Sequence, residues 1–269
     1  IPKESYLYYG KEIWEEAATA IIAGENILLD GAKATGKNVL AENLATAFAR
    51  PEWDISLYIN TDASSLIGSD TFENGEVKLR KGPVLNCAIK GGFGVLDEIN
   101  MAKNESLAVL HAVLDFRRVI DLPGYDRINL HEATRFIGTM NYGYAGTREM
   151  NEALASRFMV LHMPVITGEN LGKLIKDKSP TLKPEYISQF TSLFDEIRKK
   201  GEGGEISTRS LDLRGLISCI GMMKKGLNVT KALEMGLINK CFDEYERQLV
   251  LDIVNARLPK SLPGENIFS

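Results

Sequence analysis

The chain has 269 residues, with 32 Lys and Arg against 36 Asp and Glu, for a formal net charge of −4. With 44% hydrophobic and 25% charged residues, it can bury a substantial core without staples and is not a low-complexity chain. The mild acidity supplies no general attraction to nucleic acid, and the apolar stretch at residues 17–24 is far short of a membrane span. Cys87, Cys219 and Cys241 are isolated and no Cys-x-x-Cys occurs. That excludes a disulfide frame and a zinc ribbon, and it points to a reduced, cytoplasmic setting.

In chain order, short apolar runs alternate with amphipathic stretches over the first 165 or so residues. Residues 26–30, 55–59, 93–97, 135–140 and 159–163 read as buried strands bounded by Gly, Asn or Asp. Strands alternating with helices imply a parallel sheet covered on both faces. After Pro164 the texture changes, and only helices are expected. One covers about residues 184–200, a second starts at the cap candidate Ser207 and stops near Gly226, and a third covers about residues 230–258. The tail after Pro259 reads as irregular. The expected division is therefore an α/β core, residues 1–165, and an all-α domain with its tail, residues 166–269.

The first chemical signal follows the first strand. Gly31, Ala32, Lys33, Ala34, Thr35, Gly36 and Lys37 spell GxxxxGK, and Leu40, Leu44 and Phe48 recur four apart beyond them. Strand, glycine loop and helix form the context of a P-loop. The glycines let main-chain N–H groups wrap a phosphate, the helix start adds its positive end, and Lys37 adds a full charge. Asn38 and Val39 complete the loop. Asn38 stands where a Ser or Thr normally ligates Mg²⁺. An amide oxygen can do so, though from one atom further out, so Asn38 favours nucleotide binding over efficient hydrolysis.

The second signal is Asp97-Glu98, sixty residues beyond Lys37. At the carboxyl end of a parallel strand the pair would face the same crevice as the P-loop. Asp97 would hold Mg²⁺ through water, and Glu98 would polarise the attacking water. Asn141 ends the next sheet run and could hydrogen-bond a γ-phosphate. By itself, a strand-end Asn is most often a turn former.

GAKATGK, VLDEIN and TMNYGYAGTREMNEALASRF together resemble AAA+ ATPases of the MoxR type, and most of all their NorQ/CbbQ branch. The resemblance runs from about Tyr8 into the third C-terminal helix. It implies a five-stranded P-loop core with a helical lid, ATP and Mg²⁺ as cofactors, and assembly into a homo-oligomer, a ring of six. It further implies work on a protein client, commonly with a von Willebrand factor A domain partner. It makes Asn141 a sensor of the γ-phosphate and Arg157 an arginine finger acting on a neighbouring subunit, with Arg148 a second candidate. Arg209, expected to open the second C-terminal helix, matches the sensor-2 arginine; Arg214 matches less well. Residues 62–83, with Gly68, Gly75 and Gly82 expected to turn a hairpin, and residues 117–131, with Pro123-Gly124, resemble two family hairpins that face the pore or a partner. Tyr8, Tyr9 and Gly10 match a segment beside the adenine, with packing of an N-terminal aromatic as the plain alternative. Two rivals stand beside the ATPase motor. One is a nucleotide-binding scaffold without turnover, because of Asn38. The other is a nucleic-acid-directed NTPase, against which the charge of −4 argues.

Overall fold

A computed structural model describes all residues except 4–5, 123, 142–148, 208 and 260. The chain divides into two units, Ile1–Pro164 and Val165–Ser269. The first unit runs α1 (Lys11–Ile22), β1 (Ile27–Asp30), α2 (Lys37–Ala47), β2 (Glu52–Ser56), α3 (Ala63–Ile67), β3 (Gly68–Glu73), β4 (Glu76–Lys81) and α4 (Pro83–Lys90). It continues with β5 (Phe93–Asp97), α5 (Asn104–Leu107), α6 (Leu110–Leu114), β6 (Val119–Ile120), β7 (Ile128–Asn129), β8 (Arg135–Met140), α7 (Glu152–Ala155) and β9 (Met159–His162). Five of the strands form one sheet in the order β2-β5-β8-β1-β9, and every pairing in it is parallel.

The apolar runs are continuous because both faces of the sheet are covered. Ile27 and Leu29 of β1 pack with Ala17, Ile21, Leu40 and Leu44 of α1 and α2. Leu28, between them, points to the opposite layer and packs with Val84, Leu85 and Phe136. Successive side chains of a strand alternate between faces, so a strand sandwiched between helices needs apolar residues at every position.

One strand lies elsewhere than expected. The run at residues 55–59 predicts a strand, yet β2 is Glu52–Ser56, with Glu52 level with Phe93. Pairing with β5 begins upstream, where the Pro51 carbonyl accepts from Phe93 N–H at 2.9 Å. It ends because Thr61 closes a turn: Tyr58 N–H donates to Thr61 Oγ1 and Thr61 N–H to the Tyr58 carbonyl, both at 2.9 Å.

The expected hairpin at residues 62–83 is β3–β4, paired antiparallel, but its glycines divide the labour. Asn74 and Gly75, at φ 53° and 85°, make the turn, as the twist of a two-residue hairpin requires. Gly68 and Gly82 instead close the base, where a Cβ would lie 2.3 Å from the Arg80 carbonyl oxygen and 2.4 Å from that of Leu66. β6 and β7 form the second hairpin; Pro123 lies outside the described residues.

The second unit contains α8 (Gly168–Lys178), α9 (Pro184–Glu202), α10 (Leu213–Met223), α11 (Val229–Gly236) and α12 (Glu244–Arg257). Its core gathers Phe190, Leu193, Phe194, Leu216, Ile220, Leu233 and Val254. Two expectations are corrected here. α10 starts at Leu213, not Ser207, capped by Asp212, whose side chain accepts from Gly215 N–H. Ser207 is committed elsewhere: its N–H and Oγ both donate to the Glu246 carboxylate, at 2.9 and 2.8 Å. The expected helix over residues 230–258 is two helices, because α11 stops at Gly236 and Asp243 caps α12. α8 lies upstream of the first expected helix, which begins at about residue 184. The tail is anchored, with Lys183 N–H on the Ile267 carbonyl and Ser269 N–H on that of Thr181. Among the described residues, no helix is long and apolar enough to cross a membrane.

Candidate active site

β1, β8 and β5 are neighbours in the sheet, so their carboxyl ends bring three segments side by side: the loop after Asp30, Asn141, and Asp97-Glu98. Ligands of open parallel sheets bind at this end.

The loop joins β1 to α2. Gly36, at φ 88°, precedes the first helical residue and no side chain caps the helix; the positive end of a helix favours an anion there. A Cβ on Gly36 would lie 3.2 Å from the Tyr8 ring, and one on Gly31 would lie 2.7 Å from the Met163 carbonyl oxygen. Lys37 is 7% exposed. Its Nζ donates to the carbonyls of Gly31 and Ala32, at 2.9 and 2.8 Å, and lies 3.3 Å from Thr35 Oγ1. Thr35 Oγ1 donates to the Ala32 carbonyl at 3.0 Å. Ala34 is also left-handed, at φ 63°, so the loop doubles back on itself before α2. Ala32, Lys33 and Asn38 are exposed, while Val39 is half-buried.

Asp97 is half-buried at the end of β5 and Glu98 is exposed. Asn141 lies one residue beyond β8, and its Nδ2 donates to Glu98 Oε1 at 3.2 Å. Two residues that the sequence reading passed over complete this cluster. Thr139 Oγ1 donates to Asp97 Oδ1 at 2.5 Å and accepts from Glu98 N–H at 3.0 Å. Asn100 Nδ2 donates to the Asn141 carbonyl at 2.9 Å. Thr139 had a signal, since it shares a strand face with Asn141, two residues on. Asn100 had none, because it reaches Asn141 through the 3-10 turn Ile99–Met101.

Asp54 of β2 feels the charge of Asp97, whereas Glu52 lies level with Phe93 at the other end of the pairing. Burial, then the charges of Asp54 and Glu42, push the Glu52 carboxyl up to about 7. Asp54 is raised by burial first and by the charge of Asp97 second. Below the loop, the buried Asp30 carboxylate meets His162 Nδ1 through Oδ2 at 2.7 Å.

Arg157 sits apart from this cluster. Arg157 precedes β9 and so belongs to the amino end of the sheet. Its Nε donates to the His111 carbonyl at 3.1 Å, Nη1 to the Ala153 carbonyl, and Nη2 lies 3.7 Å from Asp115 Oδ2. Within one chain the structure therefore does not bring Arg157 to Lys37 or Glu98. Arg148 lies outside the described residues. Arg209 and Arg214 are exposed residues of the second unit. Arg209 does not open a helix; it lies in the turn before Asp212, with its guanidinium 4.9 Å above the Phe242 ring. Tyr8 N–H donates to Asn43 Oδ1 at 2.8 Å, and burial pushes its phenol up to about 12. Tyr9 and Gly10 are half-buried beside it.

The donor set fits a nucleotide phosphate with a divalent cation: an uncapped helix start, a lysine in the loop, and a carboxylate at a neighbouring strand end. Residues 26–158 match the AAA domain, dynein-related subfamily. An uncharacterized protein of Bacillus subtilis, YojN, is 32% identical over 88% of this chain and 80% of its own length. An uncharacterized protein of Staphylococcus saprophyticus is 33% identical over 93% of this chain and 97% of its own. A crystal structure from Cytophaga hutchinsonii, of a protein named a candidate ATPase, superposes with a TM-score of 0.53 at 16% identity. It covers 94% of this chain and 90% of that one, and this likeness speaks for the fold alone.

Proposed function

On the premise that the chain belongs to the AAA domain family, dynein-related subfamily, we propose that it is an ATP-binding and ATP-hydrolysing motor of MoxR type that remodels or activates a protein partner. The observation that carries this reading is the meeting of the P-loop, Asn141 and Asp97-Glu98 at neighbouring strand ends. Residues 1–165 serve as the nucleotide-binding core and residues 166–269 as a helical lid with its tail.

Gly31 through Val39 hold the phosphates, with Lys37 supplying charge to the β- and γ-phosphates. Asp97 and Asn38 would hold Mg²⁺, which when bound offsets charge on the transferring phosphoryl group. Glu98 orients and polarises the attacking water, and Asn141, bonded to its carboxylate, reads the γ-phosphate. Arg157 acts on the nucleotide of a second copy, which its place at the amino end of the sheet favours. Arg209 reports lid state to the nucleotide. The assembly is a homo-oligomeric ring of six in the cytoplasm, and the client is reached with a von Willebrand factor A domain protein. The NorQ/CbbQ branch is the assignment that the motifs favour.

The test is calorimetry with ATP, with and without Mg²⁺, followed by hydrolysis assays. Wild-type chain is expected to bind ATP, Lys37→Ala to lose binding, and Glu98→Gln to bind but not turn over. Absence of any adenine nucleotide binding would end this reading. One residue, Asn38, favours a second reading, a scaffold that binds without turnover. Under it, wild type is inert and Asn38→Thr gains hydrolysis; a wild-type rate that Glu98→Gln abolishes excludes it.

A further inference from the structure

Glu98 occupies a strained place. At φ 56° it is left-handed without being glycine, a conformation that persists only where the surroundings over-determine it. The chain turns there from β5 into the 3-10 turn Ile99–Met101. Two buried polar side chains do the determining. Thr139 is 1% exposed and Asn100 is 5% exposed.

A hydroxyl has one proton to give. That of Thr139 goes to Asp97 Oδ1, and a lone pair takes the Glu98 N–H. A single oxygen thus ties the Asp97 carboxylate to the main chain of Glu98. Asn100 works from the other side. Its Nδ2 holds the Asn141 carbonyl, and the Asn141 side chain holds Glu98 Oε1. The register explains the placement: Leu29 is level with Thr139 on one side, and Leu96 with Gly138 on the other. Thr139 therefore stands between the strand that feeds the P-loop and the strand that ends in the acidic pair.

We infer that Thr139 and Asn100 are positioning residues that set the direction of the Asp97 and Glu98 carboxylates from two sides. Neither performs chemistry. Thr139 grips the main chain of Glu98 and the carboxylate of Asp97, and Asn100 grips the residue that grips the Glu98 carboxylate. This rests on the reading of Asp97, Glu98 and Asn141 given above.

Thr139→Val keeps the shape and deletes the hydroxyl. In the full chain it is expected to lower kcat for ATP hydrolysis roughly 10–100-fold. It should also raise the Mg²⁺ concentration that half-saturates ATP binding in calorimetry, while metal-free ATP affinity stays unchanged. Thr139→Ser restores both. Without any nucleotide, hydrogen exchange at the Glu98 amide speeds up in Thr139→Val and not in Thr139→Ser. Asn100→Asp keeps size but loses the donor; it lowers kcat alone and adds nothing in an Asn141→Ala background, as coupled residues behave. Wild-type kcat together with wild-type Glu98 exchange in Thr139→Val overturns the inference. So does a Thr139→Ser variant as defective as Thr139→Val, or an Asn100→Asp effect that adds to Asn141→Ala. If Thr139→Val does not fold, the Asn100 series decides. If wild type lacks hydrolysis sensitive to Glu98→Gln, the proposed function fails while Glu98 exchange still decides the clamp.

Discussion

Glu52 shows how a single position can carry a cost in stability. Its carboxyl has an ordinary value of 4.5 and is pushed up to about 7 by burial and by Asp54 and Glu42. Between those values the folded chain keeps a proton that the unfolded chain releases. The group's favourable contribution is therefore complete below 4.5 and is lost as pH rises through about 7. Glu52→Gln is expected to melt higher than wild type at pH 8, with the difference closing as pH falls to 4.5, read by thermal denaturation across pH. At the same scale, the roles of Lys37, Asp97 and Glu98 were legible because each sits in a spaced motif. Thr139 left only its strand face, two residues before Asn141, and Asn100 left nothing, because hydrogen-bond partners more than forty residues away leave no local pattern of their own.

Among elements, the contrast lies between strands and lid helices. β1, β5 and β8 fall where continuous apolar runs place them, since full burial on two faces leaves no other residue type tolerable. β2 and α10 were shifted by partners outside their own segments, Phe93 for the first and Glu246 for the second. The break at Gly236 has the same character. A Cβ there would lie 2.1 Å from Cys219 Sγ on α10, and one on Gly215 would lie 2.4 Å from the Gly236 carbonyl oxygen, so the two helices touch through glycines. Gly236→Ala is expected to destabilise the second unit by about 1–3 kcal/mol, the usual cost of overpacking, measured by denaturant unfolding. Removing the α10 cap with Asp212→Ala should cost about 1 kcal/mol or somewhat more, because it also strips the ion pair with Lys240. The melting temperature of the second unit reads that loss.

At the scale of the whole molecule, the role proposed for Arg157 requires a second copy of the chain. Arg157 belongs to the amino end of the sheet, and its guanidinium is held by the His111 and Ala153 carbonyls near Asp115. If it acts on a second copy, two inactive variants complement each other. Arg157→Ala keeps an intact P-loop and acidic pair, and Glu98→Gln keeps an intact Arg157. Mixing them should restore hydrolysis above either alone, in steady-state ATPase assays at concentrations that permit assembly. Activity of the mixture no greater than the average of its parts would place Arg157 outside the reaction.

Composition, apolar runs and spaced motifs were enough to read a parallel α/β core, a helical C-terminal part, a P-loop and an acidic pair. Each of these rests on neighbours within a few residues along the chain: a strand's burial, a glycine's φ, a helix start beside a lysine. Folding settled what depends on distant partners. It placed β8 between β1 and β5, so that Thr139 and Asn141 meet Asp97 and Glu98. It moved the start of α10 by committing Ser207 to Glu246, and it set Arg157 at the opposite end of the sheet from Lys37. These are contacts between segments far apart in sequence, and the hydrogen bonds that fix them exist only once the sheet and the helices have closed around them.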